Sequence, residues 1–262
     1  MAFAKFKEGN AVLDKPVIRH DHGFLDDGKG NIDPSKKRAA TWADYRALAK
    51  WEAMLEGAEV LRPDLDDATR SYSHFLDATG TDLEVAYEDF LSDDDAGKTV
   101  LKSLIADTVA GSISIHDGKM GVPPPTIARE DNFYIVSDAV AVGGRDPRYP
   151  YPRTENWQKT IGAHFIWMDA AVKVKIDPAA SKRTFEVKMN LHMEDMYNFN
   201  PGAADIATQT KDAENGRFEV TGLGKEFLSK ATISRTITFT EPLAPVPDMR
   251  VAPPDQNVSA GR

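Results

Sequence analysis

Two hydrophobic periods divide the chain. From Thr41 to about Val109 apolar residues return every three or four positions, and beyond residue 125 they return every second position. Trp42, Tyr45, Leu48 and Leu55 predict a helix opening after Thr41, with Asp44 as partner of the cap and Gly57 as its stop. A second helix is expected over Asp66–Asp77, with Tyr72, Phe75 and Leu76 inward. Thr81-Asp82-Leu83-Glu84 has the form of a capping box and predicts a third helix ending near Leu91. Asp93-Asp94-Asp95 then precedes a fourth, with Val100, Leu101, Leu104, Ile105 and Val109 as its buried stripe.

The alternating half predicts strands over Asn132–Val142, Ile161–Ile176, Arg183–Asp195 and Ala231–Thr240, with a short helix over Val220–Ser229. In the second strand His164, Ile166, Met168, Ala170, Val172, Val174 and Ile176 share a face. In the third, Phe185, Val187, Met189, Leu191 and Met193 point inward, while Lys188, Asn190, His192 and Glu194 point outward. The turn at Asp177-Pro178 makes these two an antiparallel hairpin. The expected architecture is α+β, a helical part packed against a mainly antiparallel sheet or open barrel. Its divisions are an irregular arm (1–40), an acidic helical domain (41–120), a β-rich domain (126–243) and a Pro-rich tail (244–262).

Charge sharpens that division. Of 262 residues, 41 are acidic and 32 basic, a net −9. Residues 41–116 hold 16 acids and 6 bases, whereas residues 117–262 are close to neutral with 19 and 18. The overall sign argues against binding to a nucleic-acid backbone. The absence of cysteine excludes disulfides, thiolate catalysis and iron–sulfur clusters. No apolar run approaches the ~20 residues of a transmembrane helix. The first residues have no apolar core of a Sec signal, so the expectation is synthesis in the cytoplasm, with any export by a specialised route.

Two segments carry candidate chemistry. Gly143–Arg153 packs two Gly, three Pro, three Arg and two Tyr into eleven residues. Arginine forks among aromatics can grip a phosphate, and Arg145 and Arg153 are the candidate phosphate ligands, though a rigid loop would use the same prolines and tyrosines. Glu194–Gly202 breaks the alternation and places Asp195 and Tyr197, two positions apart, at the end of the inward row beside Asn198 and Asn200. A carboxylate and a phenol on one side of a cleft can bind a cation, activate water or steady a developing charge. His20-Asp21-His22 is a weak chelating pattern, and His164 on an apolar face reads as a hydrogen-bonded core histidine. The spacing at Asp93–Asp95 is not that of a calcium loop.

The second segment, Asp195-x-Tyr197-Asn198-Phe199-Asn200, followed by Asn215-Gly216-Arg217, a Gly-Leu-Gly stretch and a closing strand, resembles the activity domain of the colicin M family of bacteriocins over about residues 161–240. The family's motif carries a second Asp where this chain has Asn198, and a His before the Arg where this chain has none. The resemblance implies an antibacterial toxin: a metal-assisted phosphoesterase cleaving lipid II at a membrane surface in a target periplasm, with Mg²⁺ as cofactor and a cognate immunity protein as partner. It implies Asp195, Tyr197 and Arg217 as catalytic residues, Asp195 also as the metal ligand, and Asn198, Asn200 and His192 in support. The other expectation is a non-enzymatic binding or assembly protein that docks through the acidic helical face.

Overall fold

The computed structural model describes residues 4–9, 14–120 and 125–243. Six helices are found among them: α1 (Trp42–Leu61), α2 (Asp66–Leu76), α3 (Tyr87–Asp93), α4 (Asp95–Met120), α5 (Glu155–Thr160) and α6 (Ala213–Thr221). Seven strands, β1 (Phe6–Glu8), β2 (Leu83–Glu84), β3 (Arg129–Ser137), β4 (Val140–Val142), β5 (His164–Asp177), β6 (Lys182–Tyr197) and β7 (Phe227–Pro242), form one sheet. Its order is β1-β3-β5-β6-β7-β2, with β4 also on β5. Every pairing is antiparallel except β2 with β7, and the sheet does not close. The expected α+β class, helices ahead of an open antiparallel sheet, is the observed one.

The hairpin follows its alternation. Ile166, Met168, Ala170, Val172, Val174 and Ile176 of β5 and Phe185 through Met193 of β6 turn one face inward, where α3 and α4 cover it. At 1.5 Å per residue the 26 residues of α4 reach about 39 Å, enough to cross the sheet. Val100 and Leu104 enter the core, but the same face continues as Asp107, Thr108, Ser112 and His116, all buried. Thr108 and Ser112 donate their hydroxyls to carbonyls one turn back, both at 2.8 Å, so these alcohols are satisfied inside the helix.

Several boundaries depart from expectation. Gly57 does not end α1, and Trp42 and Tyr45 lie on its solvent side rather than in the core. Ala47, Leu48 and Trp51 pack inward instead. Thr81–Glu84 caps no helix: Leu83 and Glu84 pair in parallel with Ser229 and Lys230, so the sheet claims them. The strand expected over Asn132–Val142 starts at Arg129 and breaks into β3 and β4, and the expected start of β5 is preceded by helix α5. No helix spans Val220–Ser229: α6 ends at Thr221, where Gly222 adopts a left-handed conformation, and Phe227–Ser229 already belong to β7. The Pro-rich tail, 244–262, lies outside the described residues, as do 121–124 of the expected boundary.

Candidate functional site

The starts of β5 and β7 and the ends of β4 and β6 meet at one end of the sheet, and both unusual segments emerge there. The Arg-rich loop leaves β4 beside His164, since Val142 pairs with that residue. The Asp195–Asn200 segment leaves β6. Lys159 of α5, downstream of the Arg-rich loop, meets Asp205, downstream of the Asp195–Asn200 segment, at 2.5 Å.

Two buried carboxylates build the Arg-rich loop. Asp107 accepts from Arg148 Nη1 at 2.8 and 3.1 Å, from the Tyr149 hydroxyl at 2.6 Å and from the Ala4 amide at 2.9 Å. Asp94, fully buried, accepts from the backbone N–H of Ala96, Arg153 and Thr154 and from the Thr154 hydroxyl, at 2.7–2.9 Å. It therefore caps the start of α4 and anchors the two residues that lead into α5. Burial and Asp107 push the Tyr149 phenol above its ordinary value. Arg148 is thus committed to structure, while the side chains of Arg145 and Arg153 are exposed and make no hydrogen bond or ion pair with Asp195–Asn200.

Asp195 and Tyr197 share the inner face and are buried, at 6% and 4% exposure. The register that pairs Phe165 with Glu194 carries His164 alongside Asp195 at its next position, and Ser229 pairs with Asp195 from β7. His164 is locked. The Gly162 carbonyl at 3.0 Å only accepts, so Nδ1 bears the hydrogen and Nε2 accepts from the Tyr87 hydroxyl at 2.7 Å. Burial holds that phenol well above its ordinary pKa. Tyr197 stacks on Phe227 at 4.9 Å within a second core of Phe75, Phe218 and Phe227.

Arg217 is not brought to Asp195. It leaves α6 about 160° around the helix from Glu219 and donates through Nε to Asp44 at 3.0 Å. Asp44 also takes a two-pronged bond from Arg38 and a backbone bond from Thr41, which hold its carboxyl far below the usual range. His192 lies on the outer face, stacked on Trp167 at 3.9 Å, with Nε2 on Asp169 at 2.5 Å and Nδ1 near the Thr232 hydroxyl at 3.1 Å.

The arm supplies what the sequence left unassigned. Asn198 donates to the Asp21 carboxylate at 2.8 Å and to its carbonyl at 2.9 Å, and Asn200 donates to Asn198 at 3.2 Å. Glu219, 3% exposed, accepts from Phe199 N–H at 2.7 Å and Phe24 N–H at 3.2 Å, stapling arm, motif and α6. Gly23 sits between them at φ +52°, and a Cβ there would lie 2.3 Å from the Phe199 carbonyl. This seats His22 at the motif, with Nδ1 on Glu226 Oε1 at 2.7 Å and, among the described residues, no hydrogen bond on Nε2. The Glu226 side chain is 10% exposed, its Oε2 has no partner among the described residues, and burial raises its pKa. Two residues away, His20 and Lys15 lower the pKa of Glu194. The His-x-His spacing was visible in the sequence. The partner, 204 positions away, was not.

A resident Mg²⁺ requires several oxygen ligands facing one point. Asp195 has a histidine and a serine as cross-strand neighbours, and no three His, Asp or Glu among the described residues are arranged to hold an ion. A separate cleft of about 520 Å³ between α1 and α2, lined by Glu59, Arg62, Arg70 and His74 among others, contains none of the expected site residues. No helix among the described residues is long and apolar enough to cross a membrane. No family model matches the chain, and neither does any curated protein or solved structure.

Proposed function

We propose that the chain is an antibacterial hydrolase resembling the colicin M activity domain, which cleaves a phosphoester or pyrophosphate bond of a lipid-linked precursor. The observation that carries this reading is the imidazole of His22 at the edge of the Asp195–Asn200 motif, held through Nδ1 by Glu226 and with no partner on Nε2 among the described residues. A carboxylate that fixes one ring nitrogen leaves the other poised for proton transfer. His22 takes a proton from the attacking water as the new P–O bond forms, then returns it to the departing oxygen as the old bond breaks. Asp195 and Tyr197 hold the strand end on which the motif is built. The exposed Arg145 and Arg153, on the loop at this end of the sheet, are the cations available to substrate phosphates.

The test combines toxicity with turnover. Directed to the periplasm of a sensitive bacterium, the parent chain should lyse cells and release a phosphorylated headgroup from lipid II in extracts, while Asp195→Ala and His22→Gln do neither. A harmless parent, or variants as toxic as the parent, would sink the enzyme reading.

One observation favours docking instead. On α1, Trp42 and Val60 are 75% and 79% exposed and lie on one side of the helix with Tyr45, flanked by Glu52, Glu56 and Glu59. A basic partner with an apolar ridge fits such a face. In that case Trp42→Ala abolishes function and His22→Gln leaves it intact.

A further inference from the structure

We propose that two copies of the chain join through the free edge of β7 to make one continuous sheet. β7 pairs with β6 from Phe227 to Pro242, but its other neighbour, β2, covers only Ser229 and Lys230. Among the described residues, Ala231–Pro242 has no strand on its outer side.

The direction of the unpaired groups follows from one bond. Val85 N–H donates to the Lys230 carbonyl at 3.0 Å, so that carbonyl points away from β6. Orientation alternates along an antiparallel strand, and so Thr232, Ser234, Thr236, Thr238 and Thr240 turn their N–H and C=O to the open edge. Exposed edges are commonly blunted by lysine, proline or a bulge. Here Lys230 and Pro242 stand at the two ends, and no lysine or proline lies between them.

The occupant is a second copy because the segment complements itself. With a twofold axis at Thr238, Thr238 meets Thr238, Ile237 meets Phe239, Thr236 meets Thr240, and Arg235, which also pairs with Glu88 of its own chain, meets Glu241. Pairs of equal parity keep both faces aligned, so threonines continue the polar face and apolar residues the inner one. The end of the ladder also agrees. Ser234 would face Pro242, which has no N–H to give, and the Ser234 carbonyl is already taken by Arg235 Nη1 at 3.0 Å. The chain beyond Leu243 is a poorer occupant, since Pro245, Pro247, Pro253 and Pro254 interrupt its row of donors.

Sedimentation velocity of the full-length chain over a range of concentrations tests this, with circular dichroism and thermal melting as fold controls. The parent should dimerise. Thr238→Pro, which removes an edge donor and no bond to β6, should be a folded monomer. Glu241→Arg sets Arg against Arg and should weaken the dimer about tenfold or more, and adding Arg235→Glu should restore it. A folded, dimeric Thr238→Pro would overturn the proposal. So would a parent that stays monomeric at its highest soluble concentration, or a monomer whose Thr236–Thr240 amides resist hydrogen exchange, which would give the edge to the chain's own C-terminal residues. Should Thr238→Pro unfold, the charge pair decides: no change with Glu241→Arg, or no recovery in the double variant, refutes the register.

Discussion

Each end of the sheet holds a histidine against a carboxylate, and the two differ in what is left over. At the far end His116 is fully buried, donates through Nε2 to Asp131 at 3.0 Å and accepts through Nδ1 from Arg183 at 2.9 Å. Arg183 cannot accept, so that ring is neutral and both nitrogens are spent. At the near end His22 uses one nitrogen, and its partner Glu226 keeps an unbonded oxygen. The lesson is that burial and pairing alone do not mark a working histidine. An unfilled position on the pair is what a proton-transfer role would require in addition.

The widest contrast is kinetic. His22→Gln or Glu226→Gln should lower hydrolysis by about 10²–10⁴-fold, as loss of a general acid–base does. His116→Gln should leave turnover unchanged and lower the melting temperature; steady-state kinetics on all three that reversed this ranking would exchange the roles of the two ends. Next is Arg183→Met. It leaves Asp117 and Asp131 beside His116 with no buried cation, and denaturant unfolding should register a loss of about 3 kcal/mol. A loss close to zero would mean that the far cluster is solvated.

Gly23→Ala should follow at about 2 kcal/mol, from positive φ together with collision on the Phe199 carbonyl, and it should also reduce turnover by displacing His22. Gly28→Ala has φ +80° but open space around it, so it should lose only the backbone share, about 1 kcal/mol. The smallest effect is in pH. Burial lowers the pKa of folded His116 below 6.5, so on acidification the unfolded chain takes up that proton first. Stability should therefore fall as pH drops below about 6.5, by under about 1 kcal/mol at first, and His116→Gln should flatten this part of the profile.

The sheet was largely legible because its signal is local. Phe185 through Met193 alternates without interruption, and one buried face explains it. Thr81–Glu84 misled for the opposite reason: a capping box is a local pattern, and pairing with a strand almost 150 residues later overrode it. Trp42 and Tyr45 match helical spacing equally well on either side of α1, so periodicity alone did not choose the face. At the site, the end of the Asp195 row and the core role of His164 could be read directly. The Glu226 partner of His22, the Glu219 staple and the commitment of Arg217 to Asp44 could not, since each joins segments 20 to 204 residues apart.

The bond between His22 of the arm and Glu226, just ahead of β7, also sets an order of assembly. Glu226 is synthesised 204 residues after His22, so a nascent chain carries the imidazole without this partner over that whole interval. The pair can form only once the segment leading into β7 has been made. Fragments that stop short of Glu226 therefore lack the His22–Glu226 pair altogether.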